Sequence, residues 1–330
     1  VDERQIRKNE GYQMIKRGIL NFKFKLLVAF FFTIFALSGC VTIDKGHKVE
    51  GAESAIEIQT SSQLDEKMFS KKLPEMTADE YEMLGDSLLS KGNLYLAFLQ
   101  YERSLQINPQ NIRVVYKKGL TLLIGRKSDD AIEQFKIVIQ KNPDHAAAYE
   151  GLGRAFFQKK NYGAAERHFR KALELDPGLW KSHNFLGNIY DYQANYEKAI
   201  HEYKKALALK PEKGLLYNNL GVSYSLAGKY LMAVDAFNKA LSVKYTESKV
   251  YNNLGLALSN LGRYSEALEA FKKGGGEARA YNNLGCIYLS KGMMQEAVRC
   301  FEKAIEIDPV FYARANENLN RAKIGLENRK

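Results

Sequence analysis

Tyr217-Asn218-Asn219-Leu220-Gly221, Tyr251-Asn252-Asn253-Leu254-Gly255 and Tyr281-Asn282-Asn283-Leu284-Gly285 are near-copies of one pentad, and their recurrence decides the fold. Each is followed by an alanine and, four residues later, an aromatic: Ala233 with Phe237, Ala267 with Phe271, Ala297 with Phe301. Outward from these copies the same frame yields seven units, at 78–111, 112–145, 146–179, 180–213, 214–247, 248–277 and 278–311. The fourth position is an anchor (Tyr81, Val115, Tyr149, Tyr217, Tyr251, Tyr281), with His183 the exception. Four residues on stands glycine in all seven: Gly85, Gly119, Gly153, Gly187, Gly221, Gly255, Gly285. The second half of each unit carries an alanine (Ala97, Ala131, Ala165, Ala199, Ala233, Ala267, Ala297) and then an aromatic (Tyr101, Phe135, Phe169, Tyr203, Phe237, Phe271, Phe301). Spacings of three and four place these side chains on one helical stripe. Each unit therefore reads as two helices that cross where the glycine meets the alanine. Units of this length that cannot bury their own faces must stack, which predicts an all-α, right-handed superhelical solenoid.

The punctuation agrees. Thr77-Ala-Asp-Glu80 is a T-x-x-E capping box that opens the first helix. Gly92, Gly228, Gly262 and Gly292 supply a left-handed residue at the turn inside a unit, and Pro109, Pro143, Pro177, Pro211 and Pro309 end second helices. Two units depart from the pattern. The fifth has Tyr245 in place of proline. The sixth is 30 residues long and ends Gly274-Gly275-Gly276, which reads either as a shortened second helix that still stacks or as a hinge, since three glycines continue a helix at a cost. Residues 312–330 read as a polar capping helix with Ala313, Ala315, Leu319, Ala322 and Ile324 on its sparse apolar face.

The Leu-Gly, Ala, Phe/Tyr and Pro positions at a 34-residue period resemble the tetratricopeptide repeat. The resemblance implies a concave groove lined by first helices, in which the second, fifth, sixth and ninth positions face a ligand. Those positions give an asparagine ladder: Asn184, Asn188, Asn218, Asn219, Asn252, Asn253, Asn282 and Asn283. Its Asn-Leu-Gly form is similar to the repeats of O-linked N-acetylglucosamine transferases, where such asparagines hold peptide backbone. An amide suits that task because it both donates and accepts. The two-carboxylate clamp of chaperone-binding relatives is absent from these positions.

Upstream lies a different kind of sequence. Lys16, Arg17, Lys23 and Lys25 form a basic region, and 26–39 is an apolar run of 14 residues, the length of a signal-peptide core and short for a bilayer span. Met14 reads as the biological start, and 1–39 as an N-terminal extension plus signal peptide. Leu37-Ser38-Gly39-Cys40 resembles the lipobox of bacterial lipoproteins. That resemblance implies a thioether-linked lipid on Cys40, palmitate-type acylation of the new amino terminus, and, with Val41 rather than Asp next, an outer-membrane anchor facing the periplasm. Two or more acyl chains hold stably, at roughly 0.8 kcal/mol per buried CH2. Residues 40–77 read as the lipidated cysteine and a flexible tether without helical apolar period.

Composition narrows the function. The chain of 330 residues carries net charge +11, spread without a basic run, so no nucleic-acid role is expected. No Gly-rich phosphate loop, Gly-x-Ser-x-Gly or His-x-x-x-His occurs, and His47, His145, His168, His183 and His201 lie in different segments. No enzyme activity, metal, cofactor or small-molecule substrate is expected. Cys286 and Cys300, both in the last unit, are either a disulfide or two packed thiols. Lipobox plus repeat array resembles the lipoproteins of pilus assembly, the Tad (Flp) type and the pilotins, with 277–285 closest to the Tad type. This implies a scaffold for a secretin or pilus subunit. The alternatives are a regulatory adaptor for peptidoglycan hydrolases or proteases, and the peptide-binding half of a split glycosyltransferase.

Overall fold

The computed structural model describes residues 76–309 and 312–327. The signal segment, Cys40 and the tether lie outside the described residues. The described residues are all α, with 15 helices and no strand among them. They fall into two compact units, 76–245 and 246–327.

The first unit holds five hairpins. These are α1 (Ala78–Ser90) with α2 (Leu94–Ile107), α3 (Ile112–Ile124) with α4 (Ser128–Lys141), α5 (Ala146–Gln158) with α6 (Tyr162–Leu175), α7 (Trp180–Tyr192) with α8 (Tyr196–Leu209), and α9 (Gly214–Leu226) with α10 (Tyr230–Ser242). The second unit holds α11 (Ser248–Asn260) with α12 (Tyr264–Gly275), α13 (Glu277–Ser290) with α14 (Met294–Ile307), and α15 (Tyr312–Glu327). The chain enters α1 through the capping box: Thr77 N–H donates to Glu80 Oε2 at 2.7 Å, and Glu80 N–H donates to Thr77 Oγ1 at 3.3 Å.

Each hairpin closes over one aromatic ring. Tyr101, Phe135, Phe169, Tyr203, Phe237, Phe271 and Phe301 are all fully buried, as are the seven alanines one turn before them. The ring, rather than the alanine, explains the glycine. A Cβ on Gly85, Gly153, Gly187, Gly221 or Gly255 would stand 2.5–2.6 Å from the ring of its own hairpin. Phe135 shows that the ring also serves the seam between hairpins, because a Cβ on Gly151 of α5 would lie 2.5 Å from it. Full burial of such a ring is worth roughly 1.5–3 kcal/mol.

The turn inside each hairpin needs a left-handed residue, and glycine provides it at Gly92, Gly228, Gly262 and Gly292. In the second, third and fourth hairpins the same place is taken by Arg126, Lys160 and Ala194, at φ 58, 59 and 58°. A side chain there costs about 1–2 kcal/mol, which the packing of the two helices offsets. Tyr245, standing where proline was expected, packs against Gly214 at the start of α9, where a Cβ would fall 2.1 Å from Tyr245 Cβ.

The short sixth hairpin loses its missing residues mainly from the connection. Gly274 and Gly275 continue α12, which at 12 residues is shorter than the other second helices, in line with the shortened-helix reading. Gly276 alone joins α12 to α13, at φ 84° and ψ 169°, a region open essentially to glycine. Its N–H donates to Lys272 O at 2.9 Å, and its carbonyl accepts from Ala280 N–H at 3.0 Å, so the joint is hydrogen-bonded on both sides. A side chain at 274 is barred by Asn252, whose Oδ1 would lie 2.6 Å from its Cβ. In α15, Ala315, Leu319 and Ala322 are buried, and Leu319 and Ala322 join the cluster of Cys286, Ala297 and Phe301. Ile324 is exposed and does not belong to that face.

Gly187→Ala should lower stability by roughly 1–3 kcal/mol, because the Tyr203 ring has nowhere to go. Gly163→Ala, at a helical site with nothing within 4 Å of the added Cβ, should instead raise it by about 0.4–1 kcal/mol. Denaturant unfolding of both variants checks the pair. Amide exchange across 272–278 should be as slow as in the flanking helices, and rapid exchange confined to that joint would restore the hinge.

Candidate functional site

The faces of the first helices change chemistry along the first unit. At its start they are charged and self-paired. Glu82, with a side chain only 4% exposed, accepts from Arg113 at 2.7 Å and from Lys117 at 2.6 Å. Lys117 also reaches Asp86 at 2.6 Å, and Asp86 in turn accepts from the hydroxyl of the buried Tyr101 at 2.8 Å. Burial alone would raise the Glu82 carboxyl; the hydrogen bonds and charges of Arg113 and Lys117 outweigh it and hold the group below the usual carboxylate range. These partners stand 31 and 35 residues apart, close to one repeat length. Opposite charges at that separation on first helices are the signal that could have located them in the sequence.

Further along, hydroxyls and amides take over as the partners, with the carboxylates of Glu150 and Asp191 among them. Ser182 Oγ donates to Glu150 at 2.9 Å. Asn219 Nδ2 donates to Asn184 Oδ1 at 3.0 Å, tying α9 to α7, and Asn218 Nδ2 approaches Asn219 Oδ1 at 3.4 Å. Asn188 Oδ1 accepts from Tyr203 Oη at 2.6 Å, while its Nδ2 is buried without a hydrogen-bond partner. Asp191 accepts from Ser223 Oγ at 2.6 Å and from Tyr203 Oη at 3.0 Å.

In the second unit Asn253, Asn282 and Asn283 are buried, and Asn318 of α15 approaches Asn282 Oδ1 and Cys286 Sγ, each at 3.5 Å. Asn252 is half-buried, and its Oδ1, facing Gly274, has no hydrogen-bond partner. Part of the ladder thus ties neighbouring helices together: Asn184 with Asn219, Asn188 with Tyr203, and Asn282 with Asn318. Asn184, Asn218, Asn253, Asn282 and Asn283 are all at most 6% exposed. The unspent hydrogen-bonding capacity is at Asn188 Nδ2 and Asn252 Oδ1.

The remaining chemistry-bearing side chains have structural roles. His145 Nδ1 caps α5 by accepting from Ala148 N–H at 3.1 Å. His168 stacks on Phe156 at 5.3 Å, and burial, then Arg167 and Lys136, push its pKa down. His183 Nδ1 lies 2.6 Å from Glu202 Oε2. Cys300 is a free buried thiol, so it is not bridged to Cys286; burial pushes it up to about 11, far from a reactive thiolate. No group of three or more potential metal ligands occurs among the described residues, and no helix among them is long and apolar enough to cross a membrane.

The Glu82 arrangement has a pH signature. A carboxylate held below its ordinary value, about 4.3, contributes stability that is present above that pH and lost as pH falls through the lowered one. Glu82→Gln should cost roughly 1–3 kcal/mol at neutral pH, and the gap to wild type should close below about pH 4. Thermal melts of both forms across the acid range read this out; a gap that stays constant would remove the assigned role.

Comparison with known proteins agrees with this architecture. Tetratricopeptide repeat models match residues 116–179, 187–228, 215–246, 248–274 and 278–311. Superkiller complex protein 3 from Homo sapiens is 32% identical over 73 residues, and that from Mus musculus 31% over 74; each match spans 22% of this chain and 5% of the relative. A tetratricopeptide repeat protein from Parabacteroides merdae has a TM-score of 0.52 at 17% identity, covering 74% of this chain and 98% of that one. The structure of MamA is 30% identical, with a TM-score of 0.44, covering 49% of this chain and 94% of MamA. The chain belongs to the tetratricopeptide-repeat family, and its stacked hairpins form a protein-interaction scaffold.

Proposed function

We propose that this chain is an outer-membrane lipoprotein, anchored by acyl groups on Cys40. On this reading it is a non-enzymatic scaffold that docks an extended or helical segment of an envelope protein on its first-helix faces. The process it serves is pilus or secretion-system assembly, with a secretin or a pilus subunit as the partner. The anchoring half is supported by the basic region, the apolar run of 14 residues and Leu37-Ser38-Gly39-Cys40. The docking half is carried by one observation: the first-helix face turns from self-paired charge at α1 and α3 to amides at α7 and α9. A face whose ions are already paired offers a ligand little. An amide face offers donors and acceptors to main chain of any sequence. The same reading makes residues 41–77 the tether that lets the array reach its partner from the membrane.

Two readouts test the halves separately. Mass spectrometry of the membrane fraction should find the mature protein beginning at an acylated Cys40, and Cys40→Ser should move the protein out of that fraction. A pull-down from cross-linked membranes should recover a secretin or pilus subunit with wild type and lose most of it with the Asn188→Ala, Asn252→Ala double variant. Equal recovery of wall hydrolases from both forms would replace this reading with a regulatory adaptor.

A further inference from the structure

The turns inside the first three hairpins lie along one edge of the stack. A Cβ on Gly125, at the turn of the second hairpin, would stand 3.9 Å from Leu94 Cδ1, beside the turn of the first. Ser128 Oγ donates to Gln158 Oε1 at 2.8 Å, and Gln158 Nε2 donates to Leu123 O at 3.0 Å, which joins the second turn to the third. Lys159 of the third turn is ion-paired with Asp129 of α4. The three turns and the helix ends beside them (91–96, 124–130 and 158–164) therefore form one continuous strip.

Two kinds of side chain project from that strip. The first is cationic: Lys91, Arg126, Lys127, Lys159 and Lys160 stand against two carboxylates, Asp129 and Asp130. Asp129 is spent on Lys159, while Lys91, Arg126, Lys127 and Lys160 are exposed and form no ion pair among the described residues. The second kind is apolar: Tyr95 is 67% exposed, Leu96 45% and Ile124 50%. The exposure of Tyr95 and Leu96 is not an end effect of the array. Their places are taken by Asp129 and Asp130 in the second hairpin and by Glu197 and Lys198 in the fourth, all of them exposed as well. Large apolar side chains at a place that stays open to water gain nothing from burial within the fold.

We propose that this strip rests on a bilayer that contains anionic phospholipid. The four unpaired cations meet headgroup phosphates, and charge complementarity selects a lipid of net negative charge. Tyr95 suits the headgroup level, where its ring is in apolar surroundings and its hydroxyl in water. Leu96 and Ile124 reach the acyl boundary, and the lysine stems lie along the same layer while their heads stay hydrated. A protein partner would be met by apolar side chains gathered into one patch with a polar rim. Here they alternate along the chain with cations: Lys91, then Tyr95 and Leu96; Ile124, then Arg126 and Lys127. The proposal rests on the anchoring half of the proposed function for the presence of a membrane, and adds which edge of the array faces it.

The test uses the full chain carrying Cys40→Ser, so that its outcome does not depend on acylation. An environment-sensitive NBD label is placed on Tyr95→Cys or, as the control, on Ile107→Cys at the far end of the same helix; Cys286 and Cys300 are buried and stay unlabelled. Helix α2 sets the two labels about 18 Å apart. On vesicles of equal parts phosphatidylcholine and phosphatidylglycerol, the label at 95 should shift to shorter wavelength and lose roughly half its emission to a doxyl-labelled lipid, and the label at 107 should do neither. On phosphatidylcholine alone the response at 95 should fall roughly threefold or more. It should fall as far in the Lys91→Gln, Arg126→Gln, Lys127→Gln, Lys160→Gln variant, whose fold is checked by its melting curve. No response at 95, an equal response at 107, or a response that survives the four substitutions overturns the proposal. A shift that polyglutamate produces and vesicles do not assigns the strip to an acidic protein, and one that appears without vesicles as protein concentration rises assigns it to a second copy; either overturns it too. If these tests fail while an acylated Cys40 is found in the membrane fraction, the anchor stands and only the contact is removed.

Discussion

The structure rests on a buried aromatic ring lying against a bare glycine. The ring comes from the second helix and the glycine from the first, and the two helices approach closely because no Cβ intervenes. The contact repeats seven times with each ring fully buried. Phe135 extends it across a seam, touching Gly119 of its own hairpin and Gly151 of the next, and Phe185 of α7 lies flat against Phe169 of α6 at 5.1 Å. Ring and glycine together fix both the closure of a hairpin and its stacking on a neighbour. The stability of such an array is close to a sum of local terms, each set by one ring.

That dependence explains what was legible in the sequence. Gly-then-Ala-then-aromatic at a fixed period is a direct imprint of the contact, so the all-α class, the hairpin boundaries and the capping box at Thr77 could all be read. Features governed by something other than the period could not. Arg126, Lys160 and Ala194 hold a left-handed turn that local preference assigns to glycine, because the flanking helices fix the turn regardless of residue. Gly274 and Gly275 look like helix breakers at about 1 kcal/mol each. They are helical all the same, and the close approach of Asn252 excludes any side chain at 274. In both cases tertiary contact overrides a local rule of similar or smaller size.

The asparagines illustrate a different limit. An amide has a donor and an acceptor, so it serves a ligand's main chain and a neighbouring amide equally well. Which one it meets depends on the distance between adjacent first helices, which no single-repeat pattern encodes. Asn219 reaches Asn184 at 3.0 Å, and Asn188 accepts from Tyr203 at 2.6 Å. The residues named from the repeat positions are therefore in part the fasteners of the face they were expected to form. The charged start of the face follows the same logic. Glu82, Arg113 and Lys117 neutralise one another across a hairpin boundary, and what they stabilise is the stack rather than an encounter with an ion.

A repeat array also supplies its own internal comparison. Seven hairpins solve one packing problem with nearly one set of side chains, so a residue that departs from the set has a known alternative beside it in the same chain. Val115 departs and is buried, which needs no further account. His183 departs and lies 2.6 Å from Glu202 of its own hairpin, so a polar contact stands where sister hairpins carry tyrosine. A smaller residue at an interior seam ordinarily draws the neighbouring helices inward, because unfilled volume costs dispersion contacts. At both departures the core ring of the same hairpin, Phe135 or Tyr203, is still fully buried. The contact between ring and glycine that makes the fold readable from its period thus tolerates a change at the anchor position.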